Sequence, residues 1–291
     1  MNDHTRFSPE EVSQFKAQGF LVVKSLFHEE EMARLQDIIG ELTRSAVASG
    51  EYESILELEP GSTNEAPVAR RIYNPFQQHE AFANLARDDR MLDRVEQLFG
   101  HDLALQHSKL NMKPARVGSA VEWHQDLSYF PHTNDDLLAA LVYLDEATRL
   151  NGALQVIPGQ HRGYLRHEHA DGTFAGMITE DVEGGRYAEP VTLEAPAGSV
   201  IFMHCLTPHS SAPNRSDTPR RTLIYEYQAA DAYPIEFGDH VVQTKTPPVL
   251  LRGKPARFAR LGGIAPLIPR FPEAVSSLYD LQSKSRQQKT A

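Results

Sequence analysis

The 291-residue chain has one cysteine, Cys205. No intramolecular disulfide can form, and any metal must be held mainly by histidine and carboxylate. A reducing, intracellular setting fits that scarcity. Long apolar runs are also missing. No window approaches the roughly 20 apolar residues of a membrane-spanning helix. The opening stretch, MNDHTRFSPEE, lacks the apolar run of a signal peptide. These absences lead us to expect a cytoplasmic protein with no membrane partner, ending in an unanchored tail, QQKTA. Positive charge is in deficit: 29 Lys and Arg against 39 Asp and Glu give a formal net charge of −10. That balance argues against nucleic acid as the main partner. No internal repeat or low-complexity tract interrupts the chain. The composition, 41% hydrophobic and 23% charged, is that of a globular protein with a sizeable core.

The N-terminal part reads as helical. In SPEE, Ser8 is the expected N-cap, Pro9 the first helical residue and Glu11 the reciprocal partner of a capping box. FLVVKSLF, Phe20 to Phe27, reads as a strand. A helix is expected from about Glu29 to Ala46, where Met32, Leu35, Ile39 and Leu42 share a face. A looser stretch, SGEYESILELEPGSTNEAPVARR, follows. A further helical region is expected from about Glu80 to Phe99, stopped by Gly100. From Leu103 the texture changes to short β-type runs between turn residues: LALQHSKLNMKP, SAVEWHQDLSYF, LLAALVYLDEA, AGSVIFMHC and RRTLIYEYQ. Asn151-Gly152 is a two-residue hairpin signal, which favours strands on both sides of it. Residues 166–189 read as a long loop over one mouth. Helices followed by many short strands predict an α+β fold, a β-sandwich or jelly roll braced by N-terminal helices. We expect one domain over 1–291: a helical part at about 8–100, a β core at about 103–230 and a C-terminal extension at about 231–291.

The stretch WHQD carries the chemistry. His124 and Asp126 stand at i and i+2, and on a strand that spacing points both side chains to one face. An imidazole nitrogen and a carboxylate oxygen can then reach one ion. The third ligand is sought in GSVIFMHCLTPHSS. There His209 follows Pro208 at the end of an apolar strand, whereas His204 reads as core or as a neighbour of the site. Two histidines and one carboxylate make a facial triad, the mark of non-haem Fe(II) oxygenases, although zinc accepts the same donors. Arg220 stands eleven residues after His209, where a returning strand can bring it back to the ligand mouth. Its guanidinium fork suits a carboxylate, as a chelating 2-oxoacid cosubstrate would require.

On WHQD, YFPHTNDD, NGALQVIPGQHRG and HCLTPHSSAPNRSDTPRR, with RRIYNPFQQHEAF and the helix–GFLVV–helix start, the chain resembles the phytanoyl-CoA dioxygenase family of Fe(II)/2-oxoglutarate-dependent oxygenases. The resemblance covers roughly residues 8–230. It implies a double-stranded β-helix (jelly roll) core, His124, Asp126 and His209 as iron ligands, and Arg220 as clamp for the distal carboxylate of 2-oxoglutarate. It also implies Fe(II), 2-oxoglutarate and O2 as the reagents. Related halogenases have a small residue at the carboxylate position, so Asp126 points to hydroxylation or desaturation, and the lack of an acyl-CoA signature points to a small or medium metabolite.

Secondary candidates follow. His107, Lys109, Asn111 and Lys113 share a strand face, and Lys109 or Asn111 can donate to the cosubstrate. Gln125 points the other way by alternation, yet similar positions in some members of the family contact the cosubstrate. Ser211 is placed to assist Arg220. Trp123 and Tyr129 are expected to wall the site, and Arg71 and Arg162 to recognise an anionic substrate. Other classes that would fit the residues are a zinc-dependent hydrolase, a cupin-like isomerase and a non-catalytic jelly-roll binding module. The sequence sets no oligomeric state.

Overall fold

A computed structural model describes residues 5–50, 54–63, 67–235, 247–272 and 277–290. Helix α1 (Pro9–Gln18) starts at Ser8, whose hydroxyl accepts from the Glu11 amide while the Glu11 carboxylate accepts from the Ser8 amide. Strand β1 is Phe20–Val23, shorter than FLVVKSLF suggests. Ser25 takes a positive φ and turns the chain out of the sheet. Helix α2 spans Glu29–Ser49 and buries Met32, Leu35 and Ile39 along one face.

The stretch read as loose, residues 49–71, holds in its described part the strand β2 (Leu56–Leu58) and the start of β3 (Ala69–Tyr73). The helical stretch around Glu80–Phe99 is broken. After the single turn α3 (Pro75–Gln78), α4 (Glu80–Ala86) ends and α5 (Asp89–Phe99) restarts on Asp88, whose carboxylate accepts from the Arg90 amide. An aspartate bonding a nearby amide offers the backbone an alternative to continued helix.

The remaining strands are β4 (Leu103–Lys113), β5 (Val121–His124), β6 (Leu137–Tyr143), β7 (Leu154–Val156), β8 (Val191–Thr192), β9 (Val200–His204), β10 (His209–Ser211), β11 (Arg220–Ala229) and β12 (Val249–Arg252). They form two antiparallel sheets. The larger runs β1-β9-β6-β11-β4-β3-β2, with β12 also on β4; the smaller runs β5-β10-β7-β8. The fold is α+β with a jelly-roll core. Asn151-Gly152 is a turn, with Gly152 at φ +83, but it closes no hairpin. β6 pairs with β9 and β11, whereas β7 pairs with β10 and β8, so the turn carries the chain from one sheet to the other. The Asn151 side chain bonds the Thr148 amide and the Glu146 carbonyl, fixing the crossover.

The large sheet is covered on both faces, which is why β6, LLAALVY, is buried at every position. One face meets the helices, and Tyr225 and Tyr227 of β11 anchor it by donating to the Phe82 and Ala86 carbonyls. The other face looks towards the small sheet. It carries Ala139, Leu141, Tyr143 and Ile224, packed with Val156 and Leu154 from opposite. The C-terminal residues up to Thr290 form helix α6 (Leu278–Thr290), whose Leu278 and Tyr279 line the cavity between the sheets. No described helix is long and apolar enough to cross a membrane.

Candidate active site

His124 is the last residue of β5, and His209 is the first of β10, directly opposite it in the register. Cross-strand neighbours share a face, so the two rings meet, with centroids 4.0 Å apart. Asp126 does not lie on the strand. Gln125 stays extended, and Asp126 opens a single 3-10 turn, Asp126–Ser128. Alternation through Gln125 still brings the carboxylate back beside His124. Ligand-capable atoms of His124, Asp126 and His209 all lie within 4.8 Å of one another, and all three residues are buried. His124 Nε2 is 3.8 Å from Asp126 Oδ1, and His209 Nε2 is 3.8 Å from Asp126 Oδ2.

The tautomers suit a metal. His124 Nδ1 lies 2.7 Å from the Glu122 carbonyl and His209 Nδ1 lies 3.0 Å from the Thr207 carbonyl. A carbonyl can only accept, so each Nδ1 bears the proton and each Nε2 turns a lone pair inward. Burial, with the neighbouring ring, lowers the pKa of His124 far below its ordinary value, and burial also lowers that of His209. Burial opposes ionisation of Asp126, but the Lys109 ammonium, the strongest of the neighbouring charges, outweighs it and holds the carboxyl below its usual range. Two neutral imidazoles and one carboxylate are the donor set that a divalent ion takes.

Arg220 lies in the same cavity, at the start of β11 and 4% exposed. Its Nη1 donates to Thr222 Oγ1 at 2.7 Å and its Nη2 to the Gly152 carbonyl at 2.5 Å. Its buried Nε has no partner among the described residues, leaving a donor for a ligand. Lys109, Asn111 and Ser211 line this cavity too. Lys109, however, is turned towards Asp126 and Glu226, at 3.5 and 3.1 Å. Asn111 Oδ1 accepts from Arg71 Nε at 3.0 Å, and Arg71 lines the same cavity.

Three expectations fail. Gln125 does not enter the cavity. Fully buried on the opposite face, it donates to the Gly163 and Leu206 carbonyls and accepts from the Leu165 amide. It is a strut between the 163–165 segment and the strand. Trp123, adjacent to His124 in a strand, must point away from it. Its Nε1 donates to Glu183, and its ring packs near Ile157, Ile178 and Val182. Arg162 lines a separate cavity of about 370 Å³ with His161 and His204. His204 faces Asp135 there, at 3.7 Å, away from the triad. Tyr129, by contrast, stands edge-on to His124, centroids 5.7 Å apart, and its hydroxyl donates to the Gly176 carbonyl. His167, read as sitting in polar surroundings, is fully buried, and its Nε2 accepts from the Gln125 amide. His4 lies outside the described residues.

Among the residues that reading the sequence misses are those of α6. Leu278 and Tyr279 line the cavity. Tyr279 lies under the Arg70 and Arg71 guanidinium groups, at 4.1 and 5.1 Å from its ring centroid. Gln282 accepts from the Glu122 amide and donates to the Gly176 carbonyl, and Ser285 donates to the Ala175 carbonyl. Gly176, at φ +65, lets Leu281 approach where a methyl group would collide. No local signal in the sequence ties this helix to a strand some 150 residues earlier. Leu281 is 1% exposed, so Leu281→Ala should destabilise the protein by about 2–5 kcal/mol through the lost transfer and cavity terms. Denaturant unfolding measures this. An unchanged midpoint would mean the helix does not hold this seat.

The family described as phytanoyl-CoA dioxygenase matches residues 15–222. A probable alpha-ketoglutarate-dependent hypophosphite dioxygenase of Stutzerimonas stutzeri is 31% identical over 240 residues, covering 79% of this chain and 83% of that protein. The ectoine dioxygenase of Bordetella bronchiseptica is 28% identical, over 77% of this chain and 76% of its own. Among solved structures, EctD from S. alaskensis with 2-oxoglutarate and 5-hydroxyectoine superposes with a TM-score of 0.67 at 27% identity, covering 92% of this chain and 91% of that one.

Proposed function

We infer, for a chain that belongs to the phytanoyl-CoA dioxygenase family, that His124, Asp126 and His209 hold the iron and that Arg220 grips 2-oxoglutarate. The protein is an Fe(II)/2-oxoglutarate-dependent dioxygenase acting on a small molecule. Within it, we read the reaction as hydroxylation of a small or medium metabolite, and residues 1–291 as one dioxygenase domain. The observation that carries the assignment is the triad and the arginine in one buried cavity.

Bound iron, with 2-oxoglutarate and O2, supplies the oxidative decarboxylation that yields succinate and CO2 and delivers an oxygen atom to the substrate. The chain's own residues bind, orient and exclude water. Glu122 and Thr207 hold the imidazoles by their carbonyls. Arg220, fixed by Thr222 and Gly152, offers Nε to the distal carboxylate. Ser211 and Asn111 line the same cavity as the arginine and the triad. Tyr129 walls the histidines on one side, and Tyr279 closes the mouth where Arg71 stands. The hydrophobic residues Leu141, Leu154 and Ile224 keep the cavity dry, which strengthens every polar contact within it. By their names the relatives are a probable hypophosphite dioxygenase and an ectoine dioxygenase. A cavity of this make, lined by the buried Arg71, suits a small polar substrate.

The protein with Fe(II) and 2-oxoglutarate alone should release succinate slowly, and zinc should suppress that release. Mass spectrometry should then find a gain of one oxygen in a member of a metabolite panel that includes hypophosphite and ectoine. A zinc hydrolase on the same barrel would have no use for Arg220. No succinate, together with no thermal stabilisation by iron plus 2-oxoglutarate, would defeat this reading.

A further inference from the structure

Each histidine of the triad has its own anchor, a backbone carbonyl at Nδ1. Asp126 has none of that kind. It follows the end of β5 in a single turn, so no strand partner fixes its side chain. Among the described residues, the side chain of the opposite sheet that pairs with its carboxylate is Lys109, whose ammonium lies 3.5 Å from Oδ1. Lys109 lies on the inward face of β4, across from Ile224 of β11. Two residues further along that face is Glu226, fully buried, with Oε1 3.1 Å from Lys109 Nζ. No well-aligned hydrogen bond reaches either oxygen of Glu226 among the described residues. A buried carboxylate left this bare is strongly unfavourable unless a charge compensates it, and Lys109 is the cation at hand. One ammonium thus joins two carboxylates across the gap between the sheets.

We propose that Lys109 and Glu226 form a positioning pair for the metal site, in which Lys109 holds Asp126 by Oδ1 and leaves Oδ2 free, and Glu226 offsets the charge that Lys109 brings. The proposal rests on Asp126 as an iron ligand. Without Glu226, an uncompensated cation would stand beside the centre and repel a divalent ion. Without Lys109, Asp126 and Glu226 would face each other buried, and the carboxylate would lose its fixed direction. Partners of this kind, one step removed from the metal, commonly account for about 10- to 100-fold in metal affinity. A merely structural ion pair makes a different prediction. Replacing both of its members with neutral residues of similar shape should cost nothing at the metal.

The test is anaerobic Fe(II) binding by calorimetry, with no cosubstrate, alongside thermal unfolding. Lys109→Met should lower stability and weaken iron binding. Lys109→Met combined with Glu226→Gln should recover the unfolding temperature while the dissociation constant stays at least about tenfold above that of the unsubstituted protein. Glu226→Gln alone, the same shape without the charge, should raise the constant severalfold. A double variant that binds iron like the unsubstituted protein would overturn the proposal. An unchanged constant in Glu226→Gln would overturn it even if the double variant failed to fold. Asp126→Ala separates the two ideas: if it binds iron normally, the ligand assignment itself fails.

Discussion

Replacing His124 with alanine should cut 2-oxoglutarate-dependent succinate release by at least about a thousandfold, equivalent to about 4 kcal/mol of barrier. The ring supplies one of three protein donors that come within 4.8 Å of one another, and its inward Nε2 is set by the Glu122 carbonyl. Alanine removes the donor and leaves two ligands, which cannot define a face of an octahedral ion. The ring also stands against Tyr129 and His209, so a second variant, His124→Gln, keeps more of the volume. It should unfold near the unsubstituted protein and still lose iron. The measurements are succinate release by mass spectrometry and iron content after dialysis. Normal succinate production by a folded His124→Ala protein would remove this residue from the site.

For Arg220→Ala we expect the second largest effect, and of a different kind. The requirement for 2-oxoglutarate should rise by roughly 100-fold, about 3 kcal/mol, which lies within the range for truncating one partner of a buried charge pair. Turnover at saturating cosubstrate should fall much less, because the group grips a part of the molecule remote from the reacting carbon. Arg220→Lys should not restore affinity, because a single ammonium lacks the planar fork. The loss includes a structural component, since Nη1 and Nη2 already serve Thr222 and Gly152. Thermal unfolding separates the two. An unchanged cosubstrate requirement in a folded variant would sink the clamp role.

Much of the candidate site was legible because alternation is a local rule. His124 and Asp126 share a face through one extended residue, and the same parity sends Trp123 and Gln125 away from it. Applied strictly, that rule excludes Trp123 and Gln125 from the site. Along β11 it places Arg220, Thr222, Ile224, Glu226 and Gln228 on one face, so Glu226 could have been found by counting from Arg220. Helix starts were legible for the same reason: Ser8 and Glu11 bond each other within one turn. Turn chemistry was legible as well, but not its consequence. Asn151-Gly152 reverses the chain, yet a turn of that type cannot say whether the strands beyond it pair with each other.

The order of the residues thus determined by itself the donor types, their facing, the capped helices and the alternating strands, since each depends on neighbours a few positions apart. Only the tertiary structure decided which strands meet, that Arg162 belongs to another cavity, that Lys109 serves a carboxylate and that α6 closes the mouth. Those outcomes depend on burial and charge pairing between segments far apart in the chain. Such contacts form where apolar area and opposite charge can be satisfied together in the packed whole, and no short window of sequence contains both partners.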